Sequence, residues 1–444
     1  MSLQRNLFRI IGVSFTVFCI NFFVRAGDWN IEVIETQVGI SNEISCPIVL
    51  DSNGLERMSY FNNFQPSTAL NLIYARRSGT SWTKQTVLSN ELTMDDRALT
   101  AIALDSNDYP YICYRNSSKQ LSYVYQTSSG WSSKILIDSS IECDIHDMVM
   151  DSNDKLHIVY SYSDPYGGGI EHGELKLAVG RGTSFPKKTI ASNGQYVSAA
   201  IALDSSGIEH VSYYDKNNNQ LIYSVRDGNI WQMQIIDSVG IVLSSIRGSV
   251  SIAIDSNDYA HISYYDFVNF DLKYARWNGS VWSIQTIDSI GAVGRYSSLA
   301  LDSADRPHIA YQDTTNGALK YAMFDGTSWQ IETIDDTGTS GRYACIALTS
   351  YDRIRISYFD MANRTVRFAG SAGGCGDMFY MPPKGDLSRN CYVDMADYSM
   401  FAWWFETGCS KPDWCYGADL NKSGMVDVND LMELCQNWLI YTGP

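Results

Sequence analysis

The sequence predicts an all-β fold in which one structural unit recurs along most of the chain. Short runs of β-branched and aromatic residues alternate with turn residues. In the best-defined unit, Ser251–Ser289, four such runs are separated by the turns Asp255–Asp258 and Asn278–Gly279 and by the residues around Asn269. Runs of this length and composition form strands, and short polar turns between them favour antiparallel hairpins. Each unit is therefore predicted to be a four-stranded antiparallel meander.

The spacing of the units gives the architecture. The first strand of each unit ends at an acidic or hydroxyl residue: Asp51, Asp105, Asp151, Asp204, Asp255, Asp302 and Thr349. Successive anchors lie 54, 46, 53, 51, 47 and 47 residues apart. A period near 50 residues with four strands per period is typical of β-propellers.

The fourth strand predicts the number of blades. It begins at an aromatic residue in six units: Trp82, Trp131, Phe185, Trp231, Trp282 and Trp329. The seventh unit stops near Ala369 without a fourth strand, whereas Trp29–Glu35 (WNIEVIE) is similar to Trp329–Asp335 (WQIETID). We therefore expect the N-terminal strand to complete the last blade and to close a seven-bladed propeller over residues 27–369, since closure removes exposed sheet edges.

The N-terminus predicts secretion. Residues 1–26 combine Arg5 and Arg9 with an apolar run from Ile10 to Val24 and end at Ala26. This pattern is typical of a signal peptide, and its apolar core is short for a membrane span. An uncleaved anchor is the alternative. We expect a secreted or cell-surface protein with no stable membrane span after cleavage.

Composition narrows the partners further. The chain has 49 acidic and 33 basic residues, a net charge of −16, which disfavours nucleic acid and anionic membranes as ligands. Its ten cysteines suit an oxidising compartment. The segment between Cys409 and Cys415 is a candidate for a disulfide-closed loop.

One face of the predicted ring gathers the candidate binding residues. In a propeller, the ends of the second strands and the loops that enter the first strands share one face, which we call the top face. The residues predicted there are Arg97, His146, Asp147, Asp215, Arg247, Asp266, Arg295, Asp313, Arg342 and Asp360. Polar groups beside tyrosines suit sugar hydroxyls, and arginines suit carboxylates such as those of uronic acids. The alternative is that repeated positions serve turns and ion pairs between blades.

Two interpretations of this face remain open. The leading one is a binding protein whose propeller recognises a glycan or a protein. The other is a polysaccharide lyase or glycoside hydrolase, for which the third unit could supply acid–base groups. They lie in its insert, Ser161–Glu174, and in its entering loop: Asp164, Tyr166, Glu171, His172, Glu174, Glu142, Asp144, His146 and Asp147. A further column, His157, His210, His261 and His308, repeats at one position in four blades, so we expect these histidines to be structural and hydrogen-bonded.

The C-terminal region has a different composition. Residues 370–385 are rich in Gly and contain Pro382–Pro383, which is typical of a linker. Two twelve-residue loops with oxygen-bearing side chains follow, beginning at Asp386 and, 33 residues later, at Asp419. The alternating spacing of their side-chain oxygens suits a hard cation such as Ca²⁺. An Asp- and Asn-rich turn pair without metal is the alternative.

The doubled loops, each followed by an amphipathic stretch, resemble the dockerin family over residues 386–444. The resemblance implies two Ca²⁺ ions and attachment to a cohesin-like or other cell-surface receptor. The ligands that it implies are Asp386, Ser388, Asn390, Tyr392, Asp394, Asp397, Asp419, Asn421, Ser423, Met425, Asp427 and Asp430. Cys391 stands where such loops usually have Gly.

A second resemblance is limited to single turns. Asp325–Gly326 followed by Ser328–Trp329 is similar to the Asp-box turns of sialidase-like propellers. Those turns are structural, so the resemblance implies the fold and no sialidase activity.

Overall fold

The computed structural model describes residues 29–36, 38, 44–62, 69–79, 81–93, 97–140, 142–163, 173–241, 249–371, 398, 401, 418–420, 423 and 425–436. The predicted signal peptide, nearly all of the predicted linker and the loop from Cys409 to Cys415 lie outside these residues. No helix in the described part of the chain is long and apolar enough to cross a membrane.

Seven antiparallel sheets, numbered as blades in chain order, form the propeller. The N-terminal strand is β1 (Trp29–Glu35). Blade 1 contains β2 (Ile48–Leu50), β3 (Glu56–Asn62), β4 (Ala69–Ser78) and β5 (Ser81–Thr93). Blade 2 contains β6 (Thr100–Leu104), β7 (Pro110–Arg115), β8 (Leu121–Thr127), β9 (Gly130–Trp131) and β10 (Ile135–Asp138). Blade 3 contains β11 (Cys143–Met150), β12 (Leu156–Ser163), β13 (Gly173–Gly180) and β14 (Lys187–Gly194).

The remaining blades repeat the pattern. Blade 4 contains β15 (Tyr196–Leu203), β16 (Glu209–Asp215), β17 (Gln220–Asp227) and β18 (Ile230–Ser238). Blade 5 contains β19 (Val250–Ile254), β20 (Ala260–Asp266), β21 (Asp271–Trp277) and β22 (Trp282–Asp288). Blade 6 contains β23 (Val293–Leu301), β24 (Pro307–Asp313), β25 (Ala318–Phe324) and β26 (Trp329–Asp335). Blade 7 contains β27 (Arg342–Leu348), β28 (Ile354–Asp360) and β29 (Thr365–Ser371).

The N-terminal strand closes the ring, as the sequence predicts. β1 pairs antiparallel with β29, with Trp29 opposite Ser371 and Glu35 opposite Val366. The first strand of every blade contacts the first strand of the next, and β27 contacts β2, so the seven first strands surround one axis. The prediction of an all-β, seven-bladed propeller is therefore confirmed.

The aromatic residue that opens each outer strand packs against the preceding blade. Trp282 meets Tyr223 edge-on at 5.0 Å between ring centroids, and Trp29 meets Tyr321 at 5.5 Å. Such contacts between large rings contribute strongly to burial between blades. The outer aromatic column therefore stabilises the ring.

Two further repeated contacts link the blades. At five junctions a serine backbone N–H donates to an aspartate of the next blade over 2.7 to 3.0 Å: Ser52 to Asp108, Ser106 to Asp154, Ser205 to Asp258, Ser256 to Asp305 and Ser303 to Asp352. The corresponding acceptor positions in blades 1 and 4 are Gly54 and Gly207. There Glu56 pairs with Arg355 at 2.8 Å, and Glu209 contacts His157 at 3.1 Å.

The histidine column is structural. In three blades the His Nδ1 atom contacts a tyrosine hydroxyl of the same blade at 2.5 or 2.6 Å, and Nε2 faces the anchor aspartate at 3.3 or 3.4 Å; the residues are His210, His261 and His308. The fourth histidine, His157, also faces its anchor, Asp151, but its Nδ1 atom contacts Glu209 of the next blade instead of a tyrosine. All four are buried in separate blades.

The described cysteines of the propeller are thiols. Cys46, Cys113 and Cys143 are buried, and Cys345 is half-buried, with no disulfide among the residues described. Burial raises the pKa of the Cys143 thiol to about 12, so that this thiol is protonated at neutral pH.

The C-terminal region contains α1 (Val428–Gln436), and its described residues Tyr398 and Phe401 are also helical. A small buried cluster there contains Phe401, Ala418, Val426 and Leu434. The described parts therefore contain a helix after the second acidic loop, whereas the complete dockerin-like domain remains a prediction.

Candidate functional site

The top face is built from two kinds of segment. Four-residue turns join the second and third strands of blades 4 to 7, and connections of differing length lead from each outer strand to the next first strand. Four of the predicted binding residues, Asp215, Asp266, Asp313 and Asp360, end second strands at these turns.

Those four aspartates cap their own turns. The Asp313 carboxylate accepts hydrogen bonds from the backbone N–H groups of Thr315 and Asn316, each at 3.0 Å, and from the Asn316 side-chain amide at 2.8 Å. Asp215, Asp266 and Asp360 make similar bonds, and all four residues are buried. This arrangement gives them a structural role, and ligand contact by them stays a prediction.

Arg97 also has a partner within the protein. Its guanidinium donates to the Asp144 carboxylate at 2.7 Å, and Arg115 pairs with the same carboxylate at 3.0 Å. Arg115 further contacts Glu142 at 3.0 Å. This ion-pair group joins the entries to blades 2 and 3.

His146 and Asp147 lie in the first strand of blade 3. The β11–β12 register shifts between Ile145 and Asp147, which makes His146 the extra residue of a bulge. The Asp147 carboxylate accepts hydrogen bonds from the backbone N–H groups of Met148 at 2.8 Å and Ile201 at 3.0 Å. Burial raises the pKa of Asp147 to about 6, and these hydrogen bonds oppose the rise.

Arg295 and Arg342 occupy the same repeat position in blades 6 and 7, and both are half-buried. Arg295 lies over the Tyr265 ring at 5.5 Å, and Arg342 lies over the Tyr296 ring at 5.8 Å. Neither guanidinium has a carboxylate partner among the residues that the structure describes. Ten other arginines do form ion pairs: Arg57, Arg77, Arg97, Arg115, Arg181, Arg226, Arg276, Arg306, Arg355 and Arg367.

Two tyrosines beside these arginines pack across the channel mouth. Tyr296 and Tyr343 have ring centroids 4.4 Å apart and positive φ angles of 53° and 50°. Both belong to the buried cluster that contains Leu99 and Ile145 of blades 2 and 3, on the far side of the ring. Bulky residues rarely adopt a left-handed backbone, so the surrounding blades hold both in place. The sequence pointed to these tyrosines only through the arginines that precede them.

Sequence reasoning missed an exposed aromatic residue on this face. Phe270 is the last residue of the blade 5 turn, is 49% exposed and has φ of +65°. Residues with the same position in blades 4, 6 and 7 are Asn219, Gly317 and Arg364. Comparing the turns with one another would have identified Phe270, since it alone is aromatic.

The other predicted residues lie partly outside the described chain. Arg247 is outside it, as are Asp386, Ser388, Asn390, Tyr392, Asp394, Asp397 and Asn421. In the second acidic loop, Asp419 and Asp430 are buried, and the Asp419 carboxylate accepts a hydrogen bond from the Ser423 N–H at 3.0 Å. The Asp430 carboxylate accepts one from the Asp427 N–H at 2.9 Å. Among the residues described, no three His, Cys, Asp or Glu side chains gather as a metal site.

Comparisons with known proteins leave the family open. No family model matches the chain, and no curated protein matches it. Solved structures that resemble it include AofleA from Arthrobotrys oligospora, with 15% identity, a TM-score of 0.45, and coverage of 69% of this chain and 89% of that one. The polysaccharide lyase Uly1 has 9% identity, a TM-score of 0.47, and coverage of 75% and 90%.

A third similar structure is the intramolecular trans-sialidase from Ruminococcus gnavus. Its identity is 11%, its TM-score is 0.42, and the match covers 76% of this chain and 96% of that one. Similarity at this level assigns no activity. The class of the protein therefore follows from its own sheets and face: a seven-bladed propeller with aromatic and cationic residues at the mouth of its channel.

Proposed function

We propose that this protein is a secreted, modular binding protein. Its propeller takes a ligand on the top face, with a glycan favoured over a protein. Its C-terminal region attaches the protein, in a Ca²⁺-dependent manner, to a cohesin-like or other cell-surface receptor.

The observation that carries the proposal is that Arg295 and Arg342 have no carboxylate partner among the described residues. In a chain of net charge −16, most half-buried arginines have carboxylates beside them, whereas these two lie against tyrosine rings without one in the described part of the chain. Guanidinium groups held in place by packing make strong, directed hydrogen bonds to anionic and hydroxyl-rich ligands. One Arg342 N–H group already donates to the Met361 sulfur, and the other N–H groups of the pair supply prepositioned donors at the channel mouth.

The calcium part of the proposal has its own support. Asp419 and Asp430 are buried at the first and last positions of the second loop, and α1 (Val428–Gln436) follows. Carboxylates at these positions suit Ca²⁺, with the Met425 carbonyl and the side chains of Ser423 and Asp427 as further oxygen donors. When bound, the ion would hold the two ends of this loop together.

Asp147 supports a second candidate function. A carboxyl group with a pKa of about 6 titrates where general acid–base catalysts operate. A lyase or hydrolase acting on the same glycan is the corresponding alternative. Asp147 is engaged by two backbone N–H groups, which favours the binding protein.

The test uses the mature full-length protein on a glycan array, together with reducing-end and unsaturated-product assays on the same glycans. Binding of a defined set of glycans without product formation is expected. Product formation that the substitution D147N abolishes would instead establish the enzyme. Binding to no glycan would reject the glycan part of the proposal.

A further inference from the structure

We propose that Phe270 and Arg295 form a subsite for a carboxylate-bearing sugar, such as a uronate, on the top face where blades 5 and 6 meet. The inference rests on the proposed function and names the ligand chemistry of the same face. In it, the apolar face of the sugar ring packs on Phe270 while the sugar carboxylate accepts hydrogen bonds from the Arg295 guanidinium.

The turn that contains Phe270 does not explain why this position is aromatic. Its turn has the same length as those of blades 4, 6 and 7, and the last residue of each turn has a positive φ: 56° at Asn219, 65° at Phe270, 67° at Gly317 and 53° at Arg364. Asn and Gly suit this backbone, whereas an aromatic residue does not. Its side chain is half-exposed rather than buried, so packing does not compensate for the strain.

Tyr265 brings the two proposed contacts together. Its ring centroid lies 6.4 Å from that of Phe270, with the ring planes tilted by 34°, and Arg295 lies over the same ring at 5.5 Å. Tyr265 itself is buried, so it fixes the two groups beside each other without contacting the ligand. The exposed Phe270 ring and the Arg295 guanidinium therefore both pack against the buried Tyr265 ring.

The two segments beside Phe270 carry further exposed apolar side chains. The Val293 N–H donates to the Phe270 carbonyl at 2.9 Å, which holds the connection between blades 5 and 6 against the turn. Ile290 in that connection is 80% exposed, and Val268 in the turn is 58% exposed. The C–H face of a pyranose ring suits such a surface, since it packs on aromatic and aliphatic groups.

The Asp266 carboxylate, which follows Tyr265 in the chain, has other partners. The Asp266 carboxylate accepts hydrogen bonds from the Val268 N–H at 2.8 Å and the Asn269 amide at 3.0 Å, and it lies 3.9 Å from the Lys273 ammonium. Arg295 thus remains available for an external carboxylate, which its planar guanidinium matches with two parallel hydrogen bonds.

The test compares acidic oligosaccharides with their carboxyl-reduced counterparts by calorimetry on the mature full-length protein. The probes are oligogalacturonate, oligomannuronate and oligoglucuronate. Wild-type protein is expected to bind at least one oligouronide about tenfold or more tightly than its reduced form, because a charge-assisted hydrogen bond is lost on reduction.

Three variants make the assignment specific. R295Q is expected to abolish the preference for the acidic form while retaining residual binding of the reduced sugar. F270N installs the residue of blade 4, which suits the left-handed backbone, so it is expected to weaken both sugars while the protein melts at the same or a higher temperature. Y351A removes a 47% exposed aromatic residue from the opposite face and is expected to leave binding unchanged.

The outcomes separate this inference from the proposed function. If a neutral glycan binds and R295Q and F270N match wild type, the subsite is wrong while the propeller remains a glycan-binding domain. If no glycan binds, both fail. If poly-glutamate competes as well as the oligouronide at equal carboxylate concentration, the face recognises acidic chains in general and the sugar assignment is overturned.

Discussion

The Glu35 carboxylate accepts a hydrogen bond from the Tyr60 hydroxyl at 3.3 Å, across the junction where the N-terminal strand meets blade 1. The same contact recurs between other blades: Tyr358 donates to Asp335 at 2.6 Å, and Tyr311 to Asp288 at 2.7 Å. Lys84 also pairs with Glu35, at 3.2 Å. Strand β1 therefore supplies a carboxylate to its junction with blade 1, as the outer strands do at these other junctions.

The closing strand should contribute strongly to stability through its buried face. Ile34 is 5% exposed, whereas Ile31 in the same strand is 38% exposed. I34A is expected to lower the free energy of unfolding by about 2–4 kcal/mol, because it removes a packed side chain and leaves a cavity. Urea unfolding followed by tryptophan fluorescence measures the change. I31A serves as the control, with an expected change of about 0.5 kcal/mol or less; equal effects would mean that β1 does not fill its place in blade 7.

The tyrosine–carboxylate contacts predict unequal effects of one substitution at two junctions. The Tyr358 hydroxyl donates to Asp335, a buried carboxylate, whereas the Tyr213 hydroxyl at the junction of blades 3 and 4 faces the Met233 sulfur at 3.3 Å. Y358F is expected to cost about 1–2 kcal/mol, because it removes a donor from a buried charge.

Y213F is the matched control for this contact. It loses a weak bond to sulfur and a long contact of 3.5 Å with the Ser224 hydroxyl, and no contact with a charge, so a smaller cost than that of Y358F is expected in the same urea measurement. Similar costs for the two variants would show that the carboxylate adds nothing to the junction.

Asp147 predicts a pH-dependent difference between wild type and D147N. Its pKa of about 6 in the folded protein exceeds the value near 3.9 expected in the unfolded chain. The folded state therefore binds the proton more tightly, and the contribution of Asp147 to stability falls as pH rises from about 4 to about 6. D147N stays neutral, so its stability relative to wild type should rise over that interval and then level off.

Urea unfolding of both proteins at a series of pH values measures this difference. D147N also loses one of the two oxygens with which Asp147 accepts hydrogen bonds. This loss shifts the curve of the stability difference against pH by a constant amount and does not change its shape. A difference that is independent of pH would show that Asp147 has an ordinary pKa.

The two acidic loops predict two bound Ca²⁺ ions in the full-length protein. Replacing the two buried carboxylates of the second loop, in D419A/D430A, should remove one ion and leave the other, since each loop supplies its own ligands. Calorimetric titration of the chelator-treated protein measures the stoichiometry. D336N, which removes an acidic group from the propeller, is the control and should retain both ions. Absence of Ca²⁺ binding by the wild type would reject the proposed module.

The repeat made the ring predictable. Anchors such as Asp255 recur because the same turn must be capped in each blade: the Asp255 carboxylate accepts from the backbone N–H groups of Asn257 and Tyr259. The similarity between Trp29–Glu35 and Trp329–Asp335 follows from the same demand, since both strands fill the outer position of a blade. Local contacts of this kind leave a mark in each copy of the sequence.

The site was less predictable because the position of a residue in the repeat does not reveal which group its side chain contacts. Asp313 and Arg295 both lie on the top face. The Asp313 carboxylate is hydrogen-bonded to its own turn, whereas no described carboxylate pairs with Arg295. The left-handed backbone at Tyr296 depends on packing between blades, which periodicity does not encode. Phe270 is recognisable in the sequence, because it is aromatic where the equivalent turns have Asn, Gly or Arg.

The most direct test of the top-face claim measures the affinity of the strongest array ligand for the double variant R295Q/R342Q. A loss of about 100-fold or more is expected, because two charge-assisted contacts of about 1.5–3 kcal/mol each are removed. The control R76Q/K155Q makes the same change in net charge at exposed residues on the opposite face and should bind like wild type. Equal affinity of R295Q/R342Q and wild type, with both folded, would contradict the account.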